Sequence, residues 1–185
     1  MNRSVNPSAT TQVVWTNTWF DPETERKAAD SLISDGVDAI ASGQDSPASG
    51  EAASEKGLPF VGYDSDQSEN LSDVWLTASL YNWGPYYTDR VKAVADGTWE
   101  TGSYYGGIAD GFVTLAPFGD QVTQETQDLI ETQKQAIVDG EFYPLTGPLT
   151  DQDGTERVPA DTKMTLDEIL TMDWFIEGVD GDPSP

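Results

Sequence analysis

Apolar and polar positions fall along this chain in blocks whose spacing names the elements. Gln12-Val-Val-Trp-Thr16 is a short apolar run of strand length. Asp21-Pro22 then opens a helix: the aspartate caps free N–H groups, the proline ring suits the first turn, and Glu23 and Glu25 favour the positive end of the dipole. Ala28, Ala29, Leu32 and Ile33 supply its buried stripe, and Gly36 stops it. Val37-Asp-Ala-Ile-Ala41 reads as a second strand. Ser46-Pro47 starts a helix that reaches Lys56 and ends at Gly57, and Leu58-Pro-Phe-Val-Gly62 is a third strand.

Strand, helix, strand, helix, strand with short connections predicts an α/β fold, a parallel sheet flanked by helices. A fourth strand follows at Val74–Leu80, then a helix from about Pro85 to Ala95 ended by Gly97, and Gly106-Gly107 and Gly111 bracket a loop before Phe112–Leu115. The segment Gln124–Val138 is a long amphipathic helix that should turn Leu129, Ile130, Ala136 and Ile137 to the core. Gly147-Pro148 and Asp151-Gln-Asp-Gly154 mark the turns of a hairpin. A last helix, Leu166–Met172, leads into Trp174-Phe175-Ile176 and an acidic tail. The expected organisation is a polar segment over 1–11, one α/β body over 12–181 and a tail over 182–185. A polar opening that runs straight into a core strand reads as a truncation point.

Ligands of open parallel sheets sit beyond the carboxyl ends of the strands. Three segments belong there: Asn17–Asp21, Ser42–Ser46 and Tyr63–Asp66. All three carry carboxylates or amides, and the first adds Trp19 and Phe20. One of those two rings is expected to pack inward, the other to face a ligand; a free Trp19 would offer a stacking face to a planar heterocycle. Asp64 and Asp66 fit three roles: an acid/base pair, metal ligands, or acceptors for ligand N–H and O–H groups. Paired-carboxylate hydrolysis needs a second, independently placed acid and a raised pKa, so recognition is the favoured reading. Asp151-Gln-Asp-Gly-Thr-Glu156 lacks the later ligands of a calcium loop and reads as a hairpin turn. Gly106-Gly107 lacks the Lys-Ser/Thr of a phosphate loop and reads as a turn where backbone approaches something closely, a ligand among the candidates.

Charge narrows the function classes. With 33 Asp and Glu against 9 Lys and Arg, the formal net charge is -24, which repels phosphate backbones and anionic membrane surfaces. Nucleic acid is thereby excluded as a partner. The acids lie on helix faces and in turns as a solvated shell, and low lysine with abundant Asp and Thr fits a halophilic source, where molar salt screens self-repulsion within about 3 Å. The chain has neither cysteine nor histidine, which removes disulfides, thiolate nucleophiles, zinc-enzyme ligand sets and the Ser-His-Asp triad. No cofactor and no metal is expected. No run approaches the roughly 18–20 apolar residues of a membrane span, and no secretory leader opens the sequence.

Several stretches together resemble the basic membrane protein (BMP) family, the substrate-binding proteins of ABC importers similar to the purine nucleoside receptor lipoproteins. They are Val14-Trp-Thr-Asn-Thr-Trp-Phe-Asp-Pro22, Gly36-Val-Asp-Ala-Ile40, Gly62-Tyr-Asp-Ser-Asp-Gln67 and Leu76-Thr-Ala-Ser79. Trp83-Gly-Pro-Tyr-Tyr87, Gly97-Thr-Trp99, Leu115-Ala-Pro-Phe118, Thr146-Gly-Pro148 and Met172-Asp-Trp174 point to its purine-base branch. The resemblance implies a type I periplasmic-binding-protein fold, two α/β lobes closing on a ligand, of which this chain matches the second over 12–181, with a crossover helix at about 84–96. The N-terminal lobe, with its signal peptide and lipidated cysteine, would be missing, and Pro85–Ala95 would pack on it. It also implies partners: a purine base or nucleoside, and ABC permease and ATPase subunits, at the outer face of the membrane or in the periplasm. Position by position, Trp19 matches the aromatic that stacks on the purine, and Asp64 falls where nucleoside-binding members place a carboxylate. Asn82 stands where those members often have a ribose-holding lysine, which favours a free base. Asp45, with Phe20, Asp66 and Trp83, completes the expected site. Two other classes stay open: a nucleoside or glycoside hydrolase using the paired carboxylates, and a sensory ligand-binding module.

Overall fold

The computed structural model describes residues 5–183; the first four residues of the expected polar opening and the last two of the tail lie outside it. In chain order the elements are β1 (Thr11–Gln12), α1 (Pro22–Ser34), β2 (Ile40–Ala41), α2 (Ala48–Lys56), β3 (Phe60–Tyr63), β4 (Trp75–Tyr81), α3 (Trp83–Ala95), β5 (Val113–Leu115), α4 (Gln124–Val138), β6 (Leu149–Thr150), β7 (Glu156–Val158), α5 (Leu166–Leu170) and β8 (Val179–Asp180). They group into two compact units where the sequence suggested one lobe: 18–141, and 5–17 with 142–183.

The unit 18–141 is built on a four-stranded sheet of order β2-β3-β4-β5. The first three strands run parallel and β5 runs antiparallel to β4. Local chemistry sets the helices. Asp21 caps α1 by accepting from the Thr24 N–H at 3.1 Å, with Pro22 in the first turn. Gly57, at φ 65°, closes α2 in the left-handed conformation glycine adopts without steric penalty. Small residues let α2 sink into the unit: Ala48, Ser49, Gly50, Ala52 and Ala53 are all buried. A side chain at Gly50 would collide with Leu71 and come within 2.9 Å of the Phe60 ring. Beneath lie Ile40, Phe60, Leu71, Val74, Trp75, Ala78 and Ala116, with Leu32, Ile33, Val37, Leu58 and Leu80 packed around them.

Three expectations need correction here. The first strand of the sheet is not Gln12–Thr16: β1 pairs in parallel with β8, and the chain then leaves the ladder. Trp15 instead stacks on Phe175 with ring centroids 6.3 Å apart and donates its indole N–H to the Asp182 carbonyl. The amphipathic helix has its predicted bounds, yet Leu129 is 48% exposed and no α4 side chain is fully buried. The acidic shell is also incomplete, because Glu25 and Asp151 are buried.

In the other unit, β6 and β7 form the expected hairpin. Asp151 organises its turn, accepting from the Asp153 and Thr155 N–H groups at 3.0 and 2.9 Å and from Arg157 Nε at 2.6 Å. The capping box of α5 joins Thr165 and Glu168, each side chain accepting the other's backbone N–H.

Candidate functional site

Parallel pairing brings the carboxyl ends of β2, β3 and β4 to one end of their sheet, so residues 42–46, 64–66 and 82–83 emerge side by side. The Trp19 segment joins them by a backbone bond: the Asp45 N–H donates to the Trp19 carbonyl at 3.0 Å. Trp19 is 70% exposed and Phe20 66%, so both rings are presented and neither packs inward as one was expected to. The backbone beside them is held as well, the Asp21 N–H donating to Glu25 Oε1 at 2.8 Å.

Asp64 is exposed and follows β3 in a left-handed conformation, φ 58°, one of the few side chains that tolerates it. Its N–H donates to the Ser79 carbonyl at 2.8 Å, carrying the ladder one residue past Tyr63. Tyr63, the last residue of β3, lies next to Asp64 in the chain. The Tyr63 and Tyr81 hydroxyls lie 3.5 Å apart, and their rings meet edge to face at 5.9 Å. That bond, partial burial, and the negative charges of Asp64 and Asp45 push the Tyr63 phenol up to about 12. The hydroxyl contact with Tyr81 is the leading cause, and the two carboxylates add the least.

Asp66 has a different environment. Its carboxylate accepts from the Ser68 N–H at 3.0 Å, and hydrogen bonding to Ser68 holds it below the usual carboxylate range. A carboxyl group stabilised in its ionised form is a poor proton donor, so Asp66 is unsuited to the general-acid half of a hydrolase pair. Asn82 donates its backbone N–H to the Phe112 carbonyl at 2.7 Å, and its side-chain amide reaches the Gly111 carbonyl at 3.4 Å. Trp83 is half-packed among other rings, stacked on Tyr87 at 5.4 Å and edge-on to Phe112 at 4.8 Å. Gly106 does make room for a close approach, but the approaching groups are Tyr104 and Phe112 of the same unit; a Cβ there would lie 2.7 Å from Phe112 Cβ.

The sequence reading missed Tyr63, Tyr81 and Glu25. A tyrosine at the last position of both β3 and β4 was the available signal, since parallel strand ends place such residues together. No cluster of acidic side chains suited to a metal ion occurs among the described residues, and no described helix is long and apolar enough to cross a membrane.

Comparison with known proteins identifies the lineage. The purine-binding protein of Brucella abortus (strain 2308) is 40% identical over 178 residues, covering 96% of this chain and 51% of that protein. A Haloferax volcanii protein named as an ABC transporter glucose-binding protein is 33% identical over 180 residues, 97% of this chain and 44% of its own length. The chain therefore spans about half the length of the curated relatives it matches. A solved ABC solute-binding protein from Conexibacter woesei superposes with TM-score 0.61 at 21% identity, over 77% of this chain and 48% of the other, which attests the shared α/β fold. One from Aeropyrum pernix gives 0.53 at 16% identity, over 70% and 46%. The family profile described as ABC transporter substrate-binding protein, PnrA-like, matches residues 3–143, and the chain belongs to that family, Bmp.

Proposed function

We propose that this chain supplies one lobe of the solute-binding component of an ABC importer, and that it grips a purine base or nucleoside without chemistry. The observation that carries the reading is an indole 70% exposed on a loop hydrogen-bonded to the one bearing Asp45, at the strand ends where Asp64 also emerges. A flat heterocycle stacked on Trp19 would bury apolar area the unliganded protein leaves in water, while Asp45 and Asp64 accept its N–H or O–H groups. Asp45 suits an exocyclic amine, and neutral Asn82 in place of a lysine favours a free base over a ribose. The named specificity of the Brucella relative agrees with this.

The exposed apolar residues of α3, Tyr87, Val91 and Val94, fit a helix that packs on a second lobe. Permease and ATPase subunits would be the working partners, at the outer face of the membrane, in a lipid-anchored protein whose acidic shell suits high salt. Because one lobe covers one ligand face, binding by this chain is expected to be weak. Saturation-transfer NMR with adenine, guanosine, ribose and glucose tests the reading. Transfer to the purine ring protons, with the free sugars silent, is expected. Transfer to glucose with silent purines would overturn the purine assignment in favour of the specificity named for the Haloferax relative, and release of free base from guanosine would replace binding by hydrolysis.

A further inference from the structure

Glu25 is fully buried, yet no ion pair to it occurs among the described residues. A carboxyl group taken out of water needs partners, and two neutral donors serve here. Oε1 accepts the Asp21 N–H at 2.8 Å, and Oε2 accepts the Ser46 hydroxyl. Ser46 Oγ in turn accepts the Ala48 N–H at 3.3 Å. The group therefore sits between the first turns of α1 and α2, whose aligned peptide dipoles favour negative charge. Asp21 lies two residues beyond Trp19, and Ser46 directly follows Asp45. The Asp45 N–H to Trp19 carbonyl bond closes the same circuit from the other side.

We propose that Glu25 is a positioning residue: its buried carboxyl group holds the loops carrying Trp19 and Asp45 at the spacing a flat ligand needs. The inference rests on the purine-binding reading for its ligand, but the clamp itself is a property of the unliganded chain. A helix-facing acid confined to fold stability would be replaceable by apolar packing without consequence for the loops. A clamp is not.

The test is 15N relaxation of the full chain carrying Glu25→Gln or Ser46→Ala, with Ser49→Ala as control; Ser49 is buried in the first turn of α2, three residues beyond Ser46, and its hydroxyl has no hydrogen-bond partner among the described residues. The heteronuclear NOE of residues 18–21 and 42–46 should fall in the first two variants and hold in the control, while β3 and β4 amides stay unchanged. Adenine affinity should drop about tenfold, the size of one buried hydrogen bond. Loops as ordered as in the parent would overturn the proposal, as would loosening spread evenly over the unit. Should Glu25→Gln fail to fold, Ser46→Ala decides alone, and failure of both counts against a clamp and for a folding element. If the parent binds no purine, the function proposed above falls while the relaxation result still decides the clamp.

Discussion

The six-membered ring of Trp75 lies against the backbone of Gly62 so closely that a methyl group there would sit 2.8 Å from both Cζ3 and Cη2. The indole is fully buried and its N–H donates to the Pro117 carbonyl at 3.1 Å, so it has no free direction in which to retreat. The ladder sets the spacing of β3 and β4, and this contact leaves no room for a side chain at Gly62.

Gly62→Ala is therefore expected to destabilise the fold by about 1–3 kcal/mol through overpacking. Urea denaturation checks it: the midpoint should fall with the slope unchanged. An unchanged midpoint would mean that the strands separate more easily than this packing implies.

Tyr63 should titrate late, at about 12. Its folded value lies above the ordinary 10.0, so its contribution to stability is complete below about pH 10 and is lost as pH rises toward 12. Absorbance titration of the phenolates reads it directly. Tyr81→Phe should bring the late transition down most, because the hydroxyl contact is the leading cause, with Asp64→Asn and Asp45→Asn smaller. If neither Asn variant moves it, the charges of the two carboxylates do not reach Tyr63.

Asp151 gives the opposite sign. The Arg157 guanidinium, then the Thr155 N–H, hold its carboxyl below the ordinary 3.8. The stability it contributes is present above about pH 3.8 and is lost as pH falls through the lower folded value. Amide exchange at Asp153 and Thr155 should accelerate over that window, and Asp151→Asn should abolish the pH dependence while loosening the turn at neutral pH.

What could be read in the sequence was what local chemistry decides. Asp21-Pro22, Gly57 and the span of α4 came from caps and periodicity, which act within a few residues. The failures are non-local. Val14-Trp15 looks like strand interior, but its fate depends on Phe175 and Asp182, far along the chain. Glu25 looks like one more surface acid because its partner Ser46 lies 21 positions away. Leu129 has core periodicity on a helix that the described residues leave half bare. The candidate site was legible where parallel strand ends dictate adjacency, at Asp45 and Asp64. The exposure of both Trp19 and Phe20 was not, since neighbouring residues at a turn usually point to different sides.

A flat heterocycle held at these strand ends would be seen in a 1H–15N correlation spectrum recorded during titration with adenine. Shifts should concentrate on the Trp19 indole N–H and the amides of Asp45, Asp64 and Asn82, and Trp19→Ala should abolish them without changing thermal stability. Shifts confined to the open cavity of about 250 Å³ lined by Arg157, Met164, Met172 and Trp174, or undiminished in Trp19→Ala, would contradict the account.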